Sequence, residues 1–114
     1  MSYREITPDE AAARHREGGV VIVDVRTLPE WIGGHIPGAV HIVLDDLPAR
    51  HGELDPEAET LVICQHGIRS AHASLWLSQM GFEAVVNVRQ GMSRWRGPVE
   101  TGLGGTVTRT EAEQ

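Results

Sequence analysis

Thr60-Leu61-Val62-Ile63-Cys64-Gln65-His66-Gly67-Ile68-Arg69-Ser70 is the stretch on which the reading of the fold turns. Its first five residues are apolar or β-prone without alternation, as expected of a strand covered on both faces in a parallel sheet. A short polar loop holding one glycine follows. The periodicity then becomes helical, with Ala73, Trp76, Leu77 and Met80 at i, i+3, i+4 and i+7 and Gly81 as the stop. The same strand texture recurs at Val20–Val25, with Asp24 near its end, and at Ala84–Val88. The intervals between these runs leave room for helices, so the order predicts an α/β domain with right-handed crossovers.

Further out, Thr7-Pro8-Asp9-Glu10 has the form of a helix start. Thr7 caps, Pro8 suits the first helical position and Glu10 closes a capping box, and Gly18-Gly19 end the helix. A short strand is expected near Ala39–Ile42 after the turn at Pro37-Gly38, and a short helix over Leu44–Arg50 despite Pro48. There are no internal repeats. The expected organisation is one domain over residues 1–96, followed by a mobile Gly- and Thr-rich tail over 97–114.

With 114 residues the chain is large enough to bury one core without a metal or disulfide. Aromatics make up 4% and apolar residues 40%, which predicts a core of Val, Ile, Leu and Ala. A net charge of −6 argues against nucleic acid or an anionic membrane as partner. No apolar run is long enough to span a bilayer. Met1–Glu10 lacks the cationic and apolar regions of a signal peptide, so the expected compartment is the cytoplasm. One cysteine excludes an internal disulfide, and none of the six histidines has zinc-site spacing, so no metal or other cofactor is expected.

The chemistry centres on Cys64. In open α/β sheets ligands collect beyond the carboxyl ends of the strands. A loop turning there into a helix directs free N–H groups inward, and Gly67 supplies the freedom for a tight curl. Arg69 can lock that loop or contact a bound anion. Lowering a thiol pKa by about 2 units from its ordinary ~8.5 requires about 2.7 kcal/mol. A helix terminus typically gives ~0.3–1 kcal/mol, whereas each charge-assisted hydrogen bond gives ~1.5–3. The loop amides, more than the helix dipole, are therefore expected to make Cys64 a thiolate. A lone cysteine at a strand end is ordinarily a small buried hydrophobe; the loop and the immediate helix set this one apart.

Taken together, these residues resemble a known family. Cys64-Gln65-His66-Gly67-Ile68-Arg69-Ser70 is similar to the active-site loop of rhodanese-type sulfurtransferases. Asp24-Val25-Arg26 with Glu30-Trp31 resembles the family's first motif and Gly34-His35-Ile36-Pro37-Gly38-Ala39 its second. The stretch from Gly81-Phe82 through Asn87-Val88 to Gly91 and Trp95 resembles its closing motif. The resemblance runs from about Ile6 to Trp95. It implies a rhodanese-like three-layer domain with a five-stranded parallel sheet flanked by helices on both faces. It also implies a two-step reaction, in which Cys64 takes a sulfane sulfur from a donor such as thiosulfate and passes it to cyanide, a thiol or a protein acceptor. The loop residues Gln65, His66, Gly67, Ile68, Arg69 and Ser70 would then hold the anionic substrate. Asp24, Arg26, His35 and Trp95 would give structural support.

Alternatives come from the same residues. A sulfur carrier docking on a protein partner is one, and a non-catalytic binding module is another, although such modules usually lack the cysteine. Phosphatases and arsenate reductases of the same fold resemble the loop closely but carry one more residue between Cys and Arg. Here Cys64 to Arg69 is six residues inclusive. His66, inside the loop, is expected either to tune donor choice or to face solvent. Trp31, Trp76 and Trp95 are read as core or pocket-wall residues. Two departures from the family pattern stand out. Gln90-Gly91 replaces a usual Gly pair, and Arg94 precedes Trp95 where a small residue is common. With Arg89, Arg94 adds positive charge to an otherwise acidic body.

Overall fold

A computed structural model describes residues 2–103. Five strands, β1 (Arg4–Ile6), β2 (Val21–Asp24), β3 (Val40–His41), β4 (Thr60–Ile63) and β5 (Val85–Val88), form one sheet in the order β1-β5-β4-β2-β3. Every pairing is parallel. The helices are α1 (Pro8–Glu17), α2 (Leu28–Gly33), α3 (Leu47–Arg50) and α4 (Ile68–Gln79), with 3₁₀ turns at Leu44–Asp46, His51–Glu53 and Gly91–Arg94. The α/β class and the five-stranded parallel sheet match the sequence expectation.

The unalternating runs bury both faces. All four residues of β4 and of β5 are buried, and along β4 successive side chains enter opposite cores. Leu61 and Ile63 join Ala11, Ala12, Ile22, Val86 and Trp95 beneath α1. Val62 and Cys64 join Val23, Leu47, Ala73, Leu77 and Val85 beneath α3 and α4. This parity puts the Cys64 side chain on the α4 face, at the carboxyl end of the central strand.

The helix starts follow local chemistry. Thr7 and Glu10 form a reciprocal capping box on α1, and Thr27 and Glu30 repeat the device on α2. Four elements were not anticipated from the sequence: β1, α2 and the turns at His51–Glu53 and Gly91–Arg94. The helix read from Ala73 to Met80 begins at Ile68 and ends at Gln79. Its buried side comprises Ser70, Ala73, Ser74, Leu77 and Ser78, while Met80 is 48% exposed. Small hydroxyls pack closely against the sheet there, and the apolar periodicity alone did not show them.

Residues 97–103, expected to begin a mobile tail, are hydrogen-bonded to α2 and the loop after it. His35 and Glu100 exchange backbone hydrogen bonds at 2.9 Å each, and the Gly102 N–H donates to Ile32 O at 2.8 Å. The Trp31 indole donates to Leu103 O at 3.1 Å. The rest of that tail, 104–114, lies outside the described residues. Among the described residues no helix is long and apolar enough to cross a membrane.

Candidate active site

The loop after β4 turns sharply onto α4, and Gly67 is the residue that makes the turn. Gly67 stands at the helix N-cap with φ 95° and ψ −4°, and a Cβ there would collide with the backbone of Gln90. Because the N-cap is glycine, no side chain of its own satisfies the first amides of α4. The sulfur of Cys64 does so instead. It accepts hydrogen bonds from Gly67 N–H at 3.1 Å and Ser70 N–H at 3.3 Å, and lies 3.2 Å from the Ser70 hydroxyl. Ser70 is the third residue of the helix, the position whose amide a capping oxygen ordinarily takes.

Burial of the sulfur pushes the thiol pKa up. The Ser70 hydroxyl, with the N–H groups of Ser70, Gly67 and His66, outweighs that and holds it below its ordinary value. Cys64 is only 1% exposed. The loop above it opens to solvent, with His66 exposed and Ile68 68% exposed.

The flanks of the loop are fixed by neighbouring strands. After β5 the chain turns through Gly91, whose φ is 54° and where a Cβ would overlap the carbonyl of Cys64. That approach lets Met92 N–H donate to Cys64 O and Ser93 N–H donate to Gln65 O, both at 2.9 Å. After β2, the buried Arg26 pairs with Asp24 through Nε–Oδ1 at 3.0 Å and Nη2–Oδ2 at 2.8 Å. The same guanidinium reaches Gln65 Oε1 at 3.2 Å and Gly34 O at 2.7 Å. Arg69 makes a two-point pair with Glu30, both contacts at 2.9 Å. Arg69, Thr27 N–H and the Thr27 hydroxyl together hold the Glu30 carboxyl well below its usual range, at about 2. In this state Arg69 locks the loop to α2.

His35 and Trp95 lie away from the sulfur. His35 is fully buried, its Nδ1 2.8 Å from Trp31 O and its ring stacked on Trp31 at 3.7 Å. Trp95 is 9% exposed and donates from its indole to Pro98 O at 2.9 Å. The loop residues, Asp24 and Arg26 therefore come together, whereas His35 and Trp95 brace the surrounding shell. Sequence reasoning did not give Glu30 its part as the partner of Arg69, nor Gly91 its contact with the loop. The Thr27–Glu30 capping-box spacing was a signal for the first. Arg94 lines a separate cleft with Thr7, Pro8 and Trp95. Trp76, half-buried, meets His51 edge to face. Among the described residues no group of three or more His, Cys, Asp or Glu side chains is placed to hold a metal.

Comparison with known proteins agrees with this geometry. The family description "Rhodanese-like domain" matches residues 7–98. The chain belongs to the rhodanese family. Its relatives include the thiosulfate sulfurtransferase GlpE of Pseudomonas putida, 35% identical over 104 residues that cover 90% of this chain and 94% of that protein. YrkF of Bacillus subtilis, a candidate sulfur carrier, is 42% identical over 79 residues, covering 69% of this chain but 43% of YrkF. Among solved structures, a rhodanese-like domain protein from Staphylococcus aureus superimposes with a TM-score of 0.80 and 34% identity, covering 86% of this chain and 97% of that one. The Gln90 departure from the family pattern has a backbone consequence. Gln90 is left-handed at φ 63°, the one non-glycine residue with positive φ among those described.

Proposed function

We propose that this rhodanese is a thiosulfate sulfurtransferase acting through a Cys64 persulfide. The Cys64 thiolate attacks the outer sulfur of thiosulfate, the sulfur–sulfur bond of the donor breaks and sulfite leaves with the bonding electron pair. The enzyme then carries Cys–S–S⁻. Cyanide or a thiolate attacks the outer sulfur, and Cys64 departs as the thiolate it was. With no second cysteine in the chain, discharge requires an acceptor from outside. A reaction resting on one reduced thiol suits a reducing compartment, and we assign the cytoplasm.

One observation carries this reading: two main-chain amides and a hydroxyl converge on the Cys64 sulfur. They stabilise the attacking anion, and they are in reach of the charge again when the persulfide is cleaved. The six-residue span from Cys64 to Arg69 also sets the loop apart from the longer phosphatase loop.

Intact-mass measurement after thiosulfate treatment tests it. The expected product is heavier by one sulfur, about 32 Da, the mark of a single covalent intermediate. It is absent in Cys64→Ser and is lost on adding cyanide, with release of thiocyanate. No adduct from thiosulfate would overturn the assignment of donor. Ile68, 68% exposed at the rim of the loop, favours a second reading in which a protein surface covers the site and supplies or receives the sulfur. An adduct formed from a protein persulfide but not from thiosulfate supports that carrier role.

A further inference from the structure

Asn87 sits where its side chain is expensive. It interrupts the valines of β5, is 1% exposed, and its Oδ1 is buried without a hydrogen-bond partner. A half-satisfied buried amide costs stability that a valine of similar size would not. The other half of the amide is fully used. Nδ2 donates to the Gly67 carbonyl at 3.3 Å and to Glu5 Oε2 at 2.9 Å, Glu5 being its register partner on β1. Both partners only accept, which fixes the orientation of the amide.

We propose that Asn87, braced by Glu5, is a positioning residue for the reaction: it grips the Gly67 carbonyl and so keeps the Gly67 N–H aimed at the Cys64 sulfur. Gly67 is the residue free to rotate, because it has no Cβ, and its N–H, at 3.1 Å, lies closer to the sulfur than that of Ser70 at 3.3 Å. Gln90 blocks movement on one side of it, and Asn87 holds it from beneath. The sheet edge thus reaches the reacting atom through Glu5, Asn87 and Gly67. The proposal rests on Cys64 being the reacting group and adds the device that keeps its anion cradle in shape.

The test is the pH dependence of Cys64 alkylation by iodoacetamide, which reports the thiolate and needs no sulfur donor. In Asn87→Val the midpoint is expected to move to higher pH. Alkylation below the midpoint should then slow about two- to tenfold, the worth of one neutral hydrogen bond. The variant should melt no lower than the parent, a combination that a merely structural Asn87 would not give. An unchanged midpoint in folded Asn87→Val overturns the proposal. If that variant does not fold, Glu5→Ala on the exposed strand edge decides, a raised midpoint supporting the brace and an unchanged one overturning it. A parent protein whose Cys64 titrates as an ordinary thiol would instead remove the reading of Cys64 itself.

Discussion

Glu30 does two jobs that pull on one carboxylate: it closes the capping box of α2 and it receives both arms of Arg69. Its pKa falls from an ordinary 4.5 to about 2, so folding favours the ionised form. The stabilisation is therefore complete above the ordinary value and is lost as pH falls from 4.5 towards 2. Glu30→Gln keeps the shape and removes the charge. At neutral pH it should cost about 1 kcal/mol, since the pair is partly exposed. Urea denaturation between those two pH values should show a flatter acid loss in the variant; equal slopes would remove the ion pair from the account. The pair joins residues 39 positions apart, which explains why the Arg69 half of it was legible in the loop motif and the Glu30 half was not.

Elements differ in how openly the sequence announces them. The α1 capping box and the buried runs of β2, β4 and β5 are local patterns, and they were readable to within a residue or so. β1 is a three-residue strand, Arg-Glu-Ile, whose pairing with β5 is a long-range fact without a hydrophobic signature. The six-residue α2 is too short for periodicity to register. Cys64 and its loop were visible because strand, loop and helix are contiguous. Their supports on β2, α2 and β5 come from distant segments whose meeting only the sheet order explains. The turn after β5 shows an unusual choice within one element. Gln90 adopts a left-handed conformation that costs an L-residue roughly 1–2 kcal/mol, against a glycine entropy penalty of about 0.5–1. Gln90→Gly should therefore stabilise the protein by about 0.5–1 kcal/mol in equilibrium denaturation. A loss of stability would show that the glutamine side chain makes a compensating contact.

At the scale of the whole molecule, residues 97–103 act as a strap that closes the sheet-and-helix body over His35 and Trp31. Val99 packs within 3.0 Å of where a Cβ on Gly34 would lie, and it shares with Gln65, Glu30 and Met92 the walls of a cleft beside the Cys64 loop. Ending the chain after Arg96 removes five hydrogen bonds, that of the Trp95 indole to Pro98 O included, and uncovers a buried indole. The expected cost is about 2–3 kcal/mol, or roughly 10–20 °C in melting temperature for a domain of this size. Thermal unfolding of the shortened chain measures it. Equal melting temperatures would place the end of the folding unit at residue 96 after all.

Because α4 begins on a sulfur atom and not on a hydroxyl or carboxylate, the head of a twelve-residue helix is finished by the same atom that serves as nucleophile in the proposed reaction. Whatever neutralises or blocks that atom, whether a proton, an alkyl group or a bulky adduct, also leaves the opening amides bare. Fraying of this first turn, followed by amide exchange at Gly67 and Ser70, would report the chemical history of the cysteine from the backbone alone.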